Sequence, residues 1–495
     1  MICRISSGSV LLAISMLLNT SYSIDALAQQ QSAPATETQL RPVAHDALPS
    51  DADIRQMLVD RIDVEHRTVG IVVGLITPQG RRIVAYGHLE KGDSRPLNGN
   101  TIFEIGSASK VFTSLLLSQM LQRGEMALND PVAKYLPATV KVPTKDGKQI
   151  TLVDLATHTS GLERMPTNFT PQNENNPFVD YSAQQLYQFL SGYTLTRDPG
   201  SQYEYSNLGA GLLGFVVSRR AGMPYEELVR KRICDPLEMN STSITLTPEM
   251  KERLAVGHQV VNLQSVDNWD FGAPLAPAGA IRSTTNDLFK FLAANLGYTK
   301  TPLAGAMKAM LSVRRPTGVP NLEVALGWHV YTADGKEVIW HNGATGGYRS
   351  FLGFDPQRGI GVVALSNTRS PEGVDDIGRH LLDEKVPLWV PPKEPEVVQV
   401  DPKIFDAYVG KYQLAPRSSI AVTRKGDHLY AQKTGYASVV QTTGHGEVEI
   451  FPESAKEYFV KGAEARLTFV TDGQERPNEL IIREGTSEVH AKRVE

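Results

Sequence analysis

The stretch IGSASKVFTSLLLSQML, Ile105 to Leu121, decides how this chain is read. A turn of small residues leads into a helical run, and Val111, Phe112, Leu115, Leu116 and Leu117 mark that helix as buried. Ser107 stands where the helix begins, and Lys110 falls in its first turn. The first turn is the positive end of the helix dipole, which disfavours a cation. The same dipole favours an oxyanion developing on the serine oxygen. Positions i and i+3 share one helix face, so the amine lies within reach of the hydroxyl. The pairing makes chemical sense when the lysine is neutral and takes the serine proton. Its pKa then has to fall from ~10.4 to about 7 or 8. Burial supplies a shift of that size, and a second cation nearby adds to it. Ser-x-x-Lys is a short pattern that chance also produces, so support has to come from elsewhere.

Two other stretches supply it. In PGSQYEYSNLGAG, Pro199 to Gly211, Tyr205-Ser206-Asn207 lies between a Pro-Gly loop and an apolar helix. A tyrosine hydroxyl can carry a proton between nucleophile and leaving group. An asparagine side chain can hold both the lysine and a substrate amide. Taken alone, Tyr205 also reads as an ordinary half-buried aromatic and Asn207 as a helix cap. In VIWHNGATGGYRSF, Val338 to Phe351, His341-Asn342-Gly343 ends a strand and small residues follow. A strand edge ending in small residues lets a substrate backbone approach and pair with it. The Ala344 N–H is then a second oxyanion donor beside the Ser107 N–H. A glycine-rich hairpin with an incidental histidine is the alternative.

Working outward, a helix is expected from Asp51 to about Val64, then a hairpin from Gly70–Ile76 and Arg82–Tyr86 around TPQG. Helical patterning recurs at 182–190, 208–221, 225–233 and 285–296, with Asn- and Pro-rich loops such as 167–177 between. Strand signals return at Leu326–Tyr331, Val338–Asn342, Ser350–Pro356 and Ile360–Asn367, and a helix over 373–384 follows. The order predicts an α+β domain, with an antiparallel sheet assembled from both ends of the segment and a helical insertion between. The domain is placed at 51–386. Residues 387–402 are Pro-rich and read as a semi-rigid linker. Residues 403–495 alternate in short strands with turns at Gly426-Asp427 and Asp472-Gly473, which predicts a separate small all-β barrel or sandwich.

The chain of 495 residues is 41% hydrophobic and 21% charged, with a formal net charge of −4. That balance and the lack of a basic run give no reason to expect a nucleic-acid partner. Arg4, the apolar VLLAISMLL at 10–18 and the small-x-small site Ala26-Leu27-Ala28 read as a cleaved secretory signal over residues 1–28. The apolar stretch falls short of the ~20 residues a membrane span needs. Residues 29–50 read as a disordered lead-in. The expected location is therefore exported, periplasmic or extracellular. Cys3 and Cys234 are the two cysteines, so removal of the signal leaves Cys234 alone, as a core residue.

In this order and context, Ser-x-x-Lys, Tyr-x-Asn and His-x-Gly make the chain resemble the penicillin-recognising serine hydrolases, the superfamily of serine β-lactamases and penicillin-binding DD-peptidases. The likeness is to the class C β-lactamase-related branch, and it covers about residues 51–385. TLVDLATHTSGL (Thr151 to Leu162), PAGAIRSTTNDLFKFL (Pro277 to Leu292) and GGYRSFLGFDP (Gly346 to Pro356) agree with it. The resemblance implies that Ser107 is the acylated nucleophile and Lys110 its base or tuning group. It makes Tyr205 the proton shuttle that later activates water, and Asn207 the ligand of the substrate amide. His341 and Gly343 belong to its strand motif, and Ala344 N–H to its oxyanion hole. The implied fold is an antiparallel sheet flanked by helices with a helical subdomain. The tail resembles the lipocalin-like barrel behind some hydrolases of this branch.

One departure bears on substrate. Class C β-lactamases usually carry Lys-Thr-Gly on that strand, and His341-Asn342 stands in place of Lys-Thr. A histidine is mostly neutral at pH 7, so the permanent cation for a substrate carboxylate is lost. Arg349 is a candidate replacement. The expectation is thus a DD-peptidase or D-amino-acid peptidase with an acyl-enzyme on Ser107. A β-lactamase or carboxylesterase of the same superfamily is the alternative, and a non-catalytic peptidoglycan- or β-lactam-binding protein a further one. Small peptides, β-lactams or esters are the expected partners. No Gly-x-Ser-x-Gly elbow, metal-ligand spacing or phosphate loop is present, so neither metal nor cofactor is expected.

Overall fold

The computed structural model describes residues 48–494 apart from 371–372, 392, 416–417, 436–445, 472, 474–475 and 485–486. The signal segment, the lead-in up to residue 47 and Asp472 of the expected turn lie outside the described residues. Eight strands form one antiparallel sheet. They are β1 (Gly70–Thr77), β2 (Gly80–Gly87), β3 (Arg315–Pro316), β4 (Leu322–Val324), β5 (His329–Ala333), β6 (Lys336–Ala344), β7 (Arg349–Asp355) and β8 (Ile360–Ser366), in the order β2-β1-β8-β7-β6-β5-β4-β3. The N-terminal hairpin therefore joins the C-terminal meander through β1 and β8, with Ile71 opposite Ser366. The sheet is built from both ends of the segment, as its order of elements implied.

Alternation along β1 explains its unbroken apolar run. Val72 and Ile76 face a core shared with α2 (Ser109–Gln122), α3 (Asn207–Ala221) and α4 (Thr285–Asn295). Ile71, Val73 and Leu75 face the opposite side, against Ile54 and Leu58 of α1 (Asp51–Val59) and Ile377 and Leu381 of α5 (Asp375–Leu382). A strand covered on both faces has no polar side to show. Ser50 caps α1 in a capping box with Asp53, and a π-helical turn, Asp60–Val64, completes the helix expected to end there.

The strands between α4 and β6 differ most from expectation. The strand read over 326–331 begins at His329, because Gly327 turns the chain at φ +74°. A Cβ there would stand 2.7 Å from the Ser114 hydroxyl of α2. The segments Leu322–Val324 and Arg315–Pro316 are short added strands with no alternation of their own to announce them.

The C-terminal part is a closed barrel of eight strands, from Gly410–Ala415 to Ser487–Arg493, in which Tyr412 of the first strand pairs with Arg493 of the last. Closure leaves no free edge. Its interior holds Tyr412, Ile420, Leu429, Tyr458, Leu467 and Phe469. Val261 packs on that core from a small hairpin, Gly257–His258 with Ser265–Val266. Cys234 is buried as a free thiol, and burial pushes its pKa up to about 12. No helix among the described residues is long and apolar enough to cross a membrane.

Candidate active site

The serine sits one turn earlier than a plain helix start. Gly106–Ala108 form a single 3-10 turn that runs into α2 at Ser109. In such a turn residues i and i+3 eclipse. Lys110 Nζ accordingly lies 2.9 Å from Ser107 Oγ. The turn is possible because Gly106 takes φ +51° against the neighbouring strand. A Cβ on Gly106 would meet the Ala344 nitrogen at 2.7 Å, and one on Gly343 would meet Ile105 O at 2.0 Å. Ser350 Oγ donates to Ile105 O at 2.7 Å and holds the turn on β7.

Lys110 is 2% exposed. Besides Ser107 it reaches Asn207 Oδ1 at 2.9 Å and the Ala278 carbonyl at 2.7 Å. The carbonyl oxygens can only accept, whereas a hydroxyl can donate. A neutral amine has two N–H groups and one lone pair. With the two N–H groups on Asn207 and Ala278, the lone pair is left for the Ser107 proton. Burial is the main reason the lysine pKa falls well below its ordinary value, and the charge of Arg164 lowers it further.

Tyr205 adjoins the pair. Its ring centroid is 4.9 Å from Lys110 Nζ, and its hydroxyl is directed toward Ser107. Burial raises its pKa, while the Ser107 hydrogen bond and the charges of Arg164 and Arg349 act the other way. His158 stacks on the Tyr205 ring at 4.5 Å between centroids. Its Nδ1 accepts the Ser206 N–H at 3.1 Å, which leaves any ring proton on Nε2. Ser206, rather than Asn207, caps α3, by accepting the Gly209 N–H at 2.8 Å. Asn207 is therefore released to face Lys110.

His341 is 1% exposed on β6. Its Nδ1 donates to the Asn342 carbonyl at 2.6 Å, and its Nε2 has no hydrogen-bond partner among the described residues. Burial, with His329 and Lys110 nearby, keeps it neutral by lowering its pKa well below the usual histidine range. Arg349 does not supply the missing charge. It faces the other side of the sheet and is ion-paired to Asp375 of α5, with Nε donating to Oδ1 at 2.8 Å. Ala344 opposite it shares that side, one residue out of step with His341 and Gly343.

The register frees one backbone donor. The Thr345 N–H bonds to Tyr348 O at 3.1 Å, so alternate residues back along β6, Gly343 and His341, are the ones bonded to β7. Asn342 and Ala344 then direct their N–H and C=O groups to the other edge. β5 covers that edge only as far as Trp340, opposite His329. The Ala344 N–H therefore opens onto the cleft that Ser107 lines. The cleft encloses about 320 Å³ of solvent-open space, and Phe178, Trp269 and Phe271 form its wall with Asn207 and Ala278. Phe178 stacks on Phe271 at 4.7 Å between centroids. A buried ion pair holds this wall. Arg282 Nη2 meets Glu104 Oε1 at 3.0 Å, and the same carboxylate oxygen accepts the Trp269 N–H at 3.1 Å.

Of the residues singled out in the sequence, Ser107, Asn207 and Ala344 line the cleft. Lys110, Tyr205, His341 and Gly343 pack behind it around Ser107, and Arg349 lies apart on the other face of the sheet. Sequence reading assigned no part to His158, Arg164, Ala278 or the aromatic wall. His158 lay in a quoted phrase, THTSG, but its φ of +56° and its stacking are tertiary facts. No cluster of metal-ligating side chains occurs among the described residues.

Comparison with known proteins identifies the family. The β-lactamase family model matches residues 49–386, and a domain of unknown function, DUF3471, matches 394–493. The D-alanyl-D-alanine-carboxypeptidase/endopeptidase AmpH of Escherichia coli K12 is 30% identical over 69% of this chain and 91% of its own. Penicillin-binding protein 4* of Bacillus subtilis 168 is 26% identical over 88% of this chain and 98% of its own. The crystal structure of a β-lactamase/D-alanine carboxypeptidase from Yersinia pestis superposes with a TM-score of 0.58 and 26% identity, covering 68% of this chain and 100% of that one. The chain belongs to the β-lactamase family and is a serine hydrolase of the penicillin-recognising superfamily.

Proposed function

We propose that the protein is an exported DD-peptidase or D-amino-acid peptidase that acts through an acyl-enzyme on Ser107. The observation that carries this reading is the buried Lys110 amine, 2.9 Å from Ser107 Oγ and held by Asn207 Oδ1 and the Ala278 carbonyl, where burial lowers its pKa and favours a lone pair facing the serine proton. In the first half-reaction Lys110 takes that proton as Oγ attacks the substrate carbonyl. The Ser107 and Ala344 N–H groups receive the oxyanion. Tyr205 passes a proton to the leaving amine and then activates the water that frees Ser107. Asn207 holds the substrate amide, and the open edge of β6 at Asn342 and Ala344 pairs with its backbone. Gly343 and the neutral His341 leave room there. A protein that only binds would have no use for a buried amine whose pKa is lowered beside a serine hydroxyl.

The names of the relatives support peptidase chemistry, and the signal-like residues 1–28 support export. β-Lactam or ester turnover runs through the same acyl-enzyme, and the His341 departure from Lys is what places it second. The test is intact mass of the mature protein against time after addition of a penicillin, with Ser107→Ala as control. A persistent adduct that requires Ser107 supports a penicillin-binding peptidase. A fleeting adduct with consumption of the drug points to a β-lactamase. No adduct and no consumption, with hydrolysis of short acyl esters, points to an esterase.

A further inference from the structure

We infer that Arg164 is a specificity-determining residue, the cation that recognises a carboxylate on the substrate at the Tyr205 side of the cleft; the inference rests on the functional reading above. Arg164 lies on the loop after the His158 turn. Its guanidinium carbon stands 5.1 Å from the centroid of the Tyr205 ring. Its backbone carbonyl accepts the N–H groups of Asn207 at 3.0 Å and Leu208 at 3.2 Å. The preceding carbonyl, of Glu163, accepts the Ser206 hydroxyl at 2.6 Å. The backbone of the loop is thus clamped to the start of α3, while the Arg164 side chain stays exposed.

The charges around it make the case. Lys110, His158, His329 and His341 are all driven toward the neutral form, chiefly by burial. Arg349 is neutralised by Asp375, and Arg282 by Glu104 and Asp270. Arg197, farther along the same side, is paired with Glu204. Arg164 has no carboxylate partner among the described residues; its contact is the Tyr205 ring. The interior cations of the site are therefore either driven toward neutrality or paired, and an unanswered guanidinium stands beside the residue that handles the leaving group. A planar guanidinium meets a carboxylate with two parallel hydrogen bonds, and stacking on an aromatic ring limits its freedom beforehand. The cation absent from position 341 on the strand is in this way supplied from the facing loop.

The same charge lowers the pKa of Lys110 and of Tyr205. Loss of Arg164 thus also lets the lysine pKa rise, and the acid limb of the pH–rate profile moves to higher pH. That effect applies to any substrate, whereas carboxylate recognition does not, so the two roles separate.

The test uses the mature full-length protein and two probes, an N-acyl-D-Ala-D-Ala with a free C-terminal carboxylate and the same peptide with a C-terminal carboxamide. For Arg164→Gln the ratio of kcat/KM, carboxylate over carboxamide, should fall about tenfold, as expected for loss of one partly exposed charge-assisted pair. Arg164→Lys should recover part of the ratio, and Arg164→Glu should lower it further. Raised ionic strength should lower the wild-type ratio and leave that of Arg164→Gln flat. Activity on both probes with the same ratio in wild type and Arg164→Gln overturns the inference and leaves the functional reading standing. A wild type that cleaves neither probe and forms no Ser107 adduct with penicillin overturns the functional reading, and the inference with it.

Discussion

His158 accepts the Ser206 N–H on one ring nitrogen while its face stacks on Tyr205, 4.5 Å between centroids. One imidazole thus fixes both the start of α3 and the ring proposed to carry the proton. His158→Ala leaves the buried Ser206 N–H unpaired, which costs about 1–3 kcal/mol, and frees the Tyr205 ring to tilt. The expected result is a fall in kcat with KM little changed, because ground-state contacts to substrate are retained. Steady-state kinetics alongside thermal unfolding checks it. A variant that loses stability but keeps kcat would show that Tyr205 is positioned without this stack.

Lys110→Arg should abolish acylation. A guanidinium stays charged throughout the working pH range and has no lone pair to offer. Time-resolved intact mass with penicillin reads this directly, and retention of more than about a thousandth of the wild-type rate would remove Lys110 as the base.

The same lysine makes stability depend on pH. Its folded pKa lies well below the ordinary value of 10.5 that it regains on unfolding. Between those two values the unfolded chain binds a proton that the native state does not. Stability therefore rises with pH across that window, and it is lost as pH falls from the unfolded value toward the folded one. Denaturant unfolding of wild type at pH 7 and pH 9 should show this rise, and Lys110→Met should show a flatter one. Equal slopes in the two proteins would mean that the buried amine is charged in the native state.

Much of this was legible in the sequence because the relevant signals are local. Ser107 and Lys110 lie in one turn, and the apolar run after them shows that the turn is buried. The continuous apolar β1 and its hairpin partner also carry their own pattern. What stayed hidden depends on chain turns and long-range pairing. Gly327 turns the chain at the start of a stretch that reads as strand, and the neighbour that crowds it, Ser114, lies on a helix more than two hundred residues earlier in the chain. Arg349 looked suited to the site by proximity to His341, yet the two are on opposite faces of the sheet and Asp375 holds the arginine. Parity along a strand decides that, and it needs the register. Arg164 is the converse, a residue on a loop without pattern that tertiary packing brings to Tyr205.

The Glu104–Arg282 pair should matter to the cleft wall as well as to stability. Both side chains are buried, and the carboxylate also accepts from the Trp269 N–H and Asn268 Nδ2. Glu104→Ala leaves the buried Arg282 charge with the half-exposed Asp270 and the Ile244 and Trp269 carbonyls, a loss of about 3 kcal/mol. Reciprocal shortening, Glu104→Ala with Arg282→Met, should recover part of that loss in denaturant unfolding. A double variant no better than Glu104→Ala would mean that the Trp269 contact, rather than the unpaired charge, sets the cost.

A hairpin connects the barrel core to the cleft wall. Val261 packs on the barrel core, while Gly257 and Val266 of the same hairpin enclose Gly347, which a Cβ would bring within 2.6 Å of both. Three residues beyond Val266 the chain reaches Trp269 of the cleft wall, and Gly347 lies in the turn that follows Ala344. A charge at Val261 disfavours burial against the apolar barrel and loosens the hairpin at its middle. For Val261→Asp, KM for the D-Ala-D-Ala peptide should rise several-fold. The rate of Ser107 acylation by a small neutral ester should hold, since Ser107, Lys110 and Tyr205 are anchored by α2 and α3. An unchanged KM would mean that the barrel leaves the cleft wall alone. A parallel loss on the small ester would mean that its influence extends to Ala344, the proposed oxyanion donor.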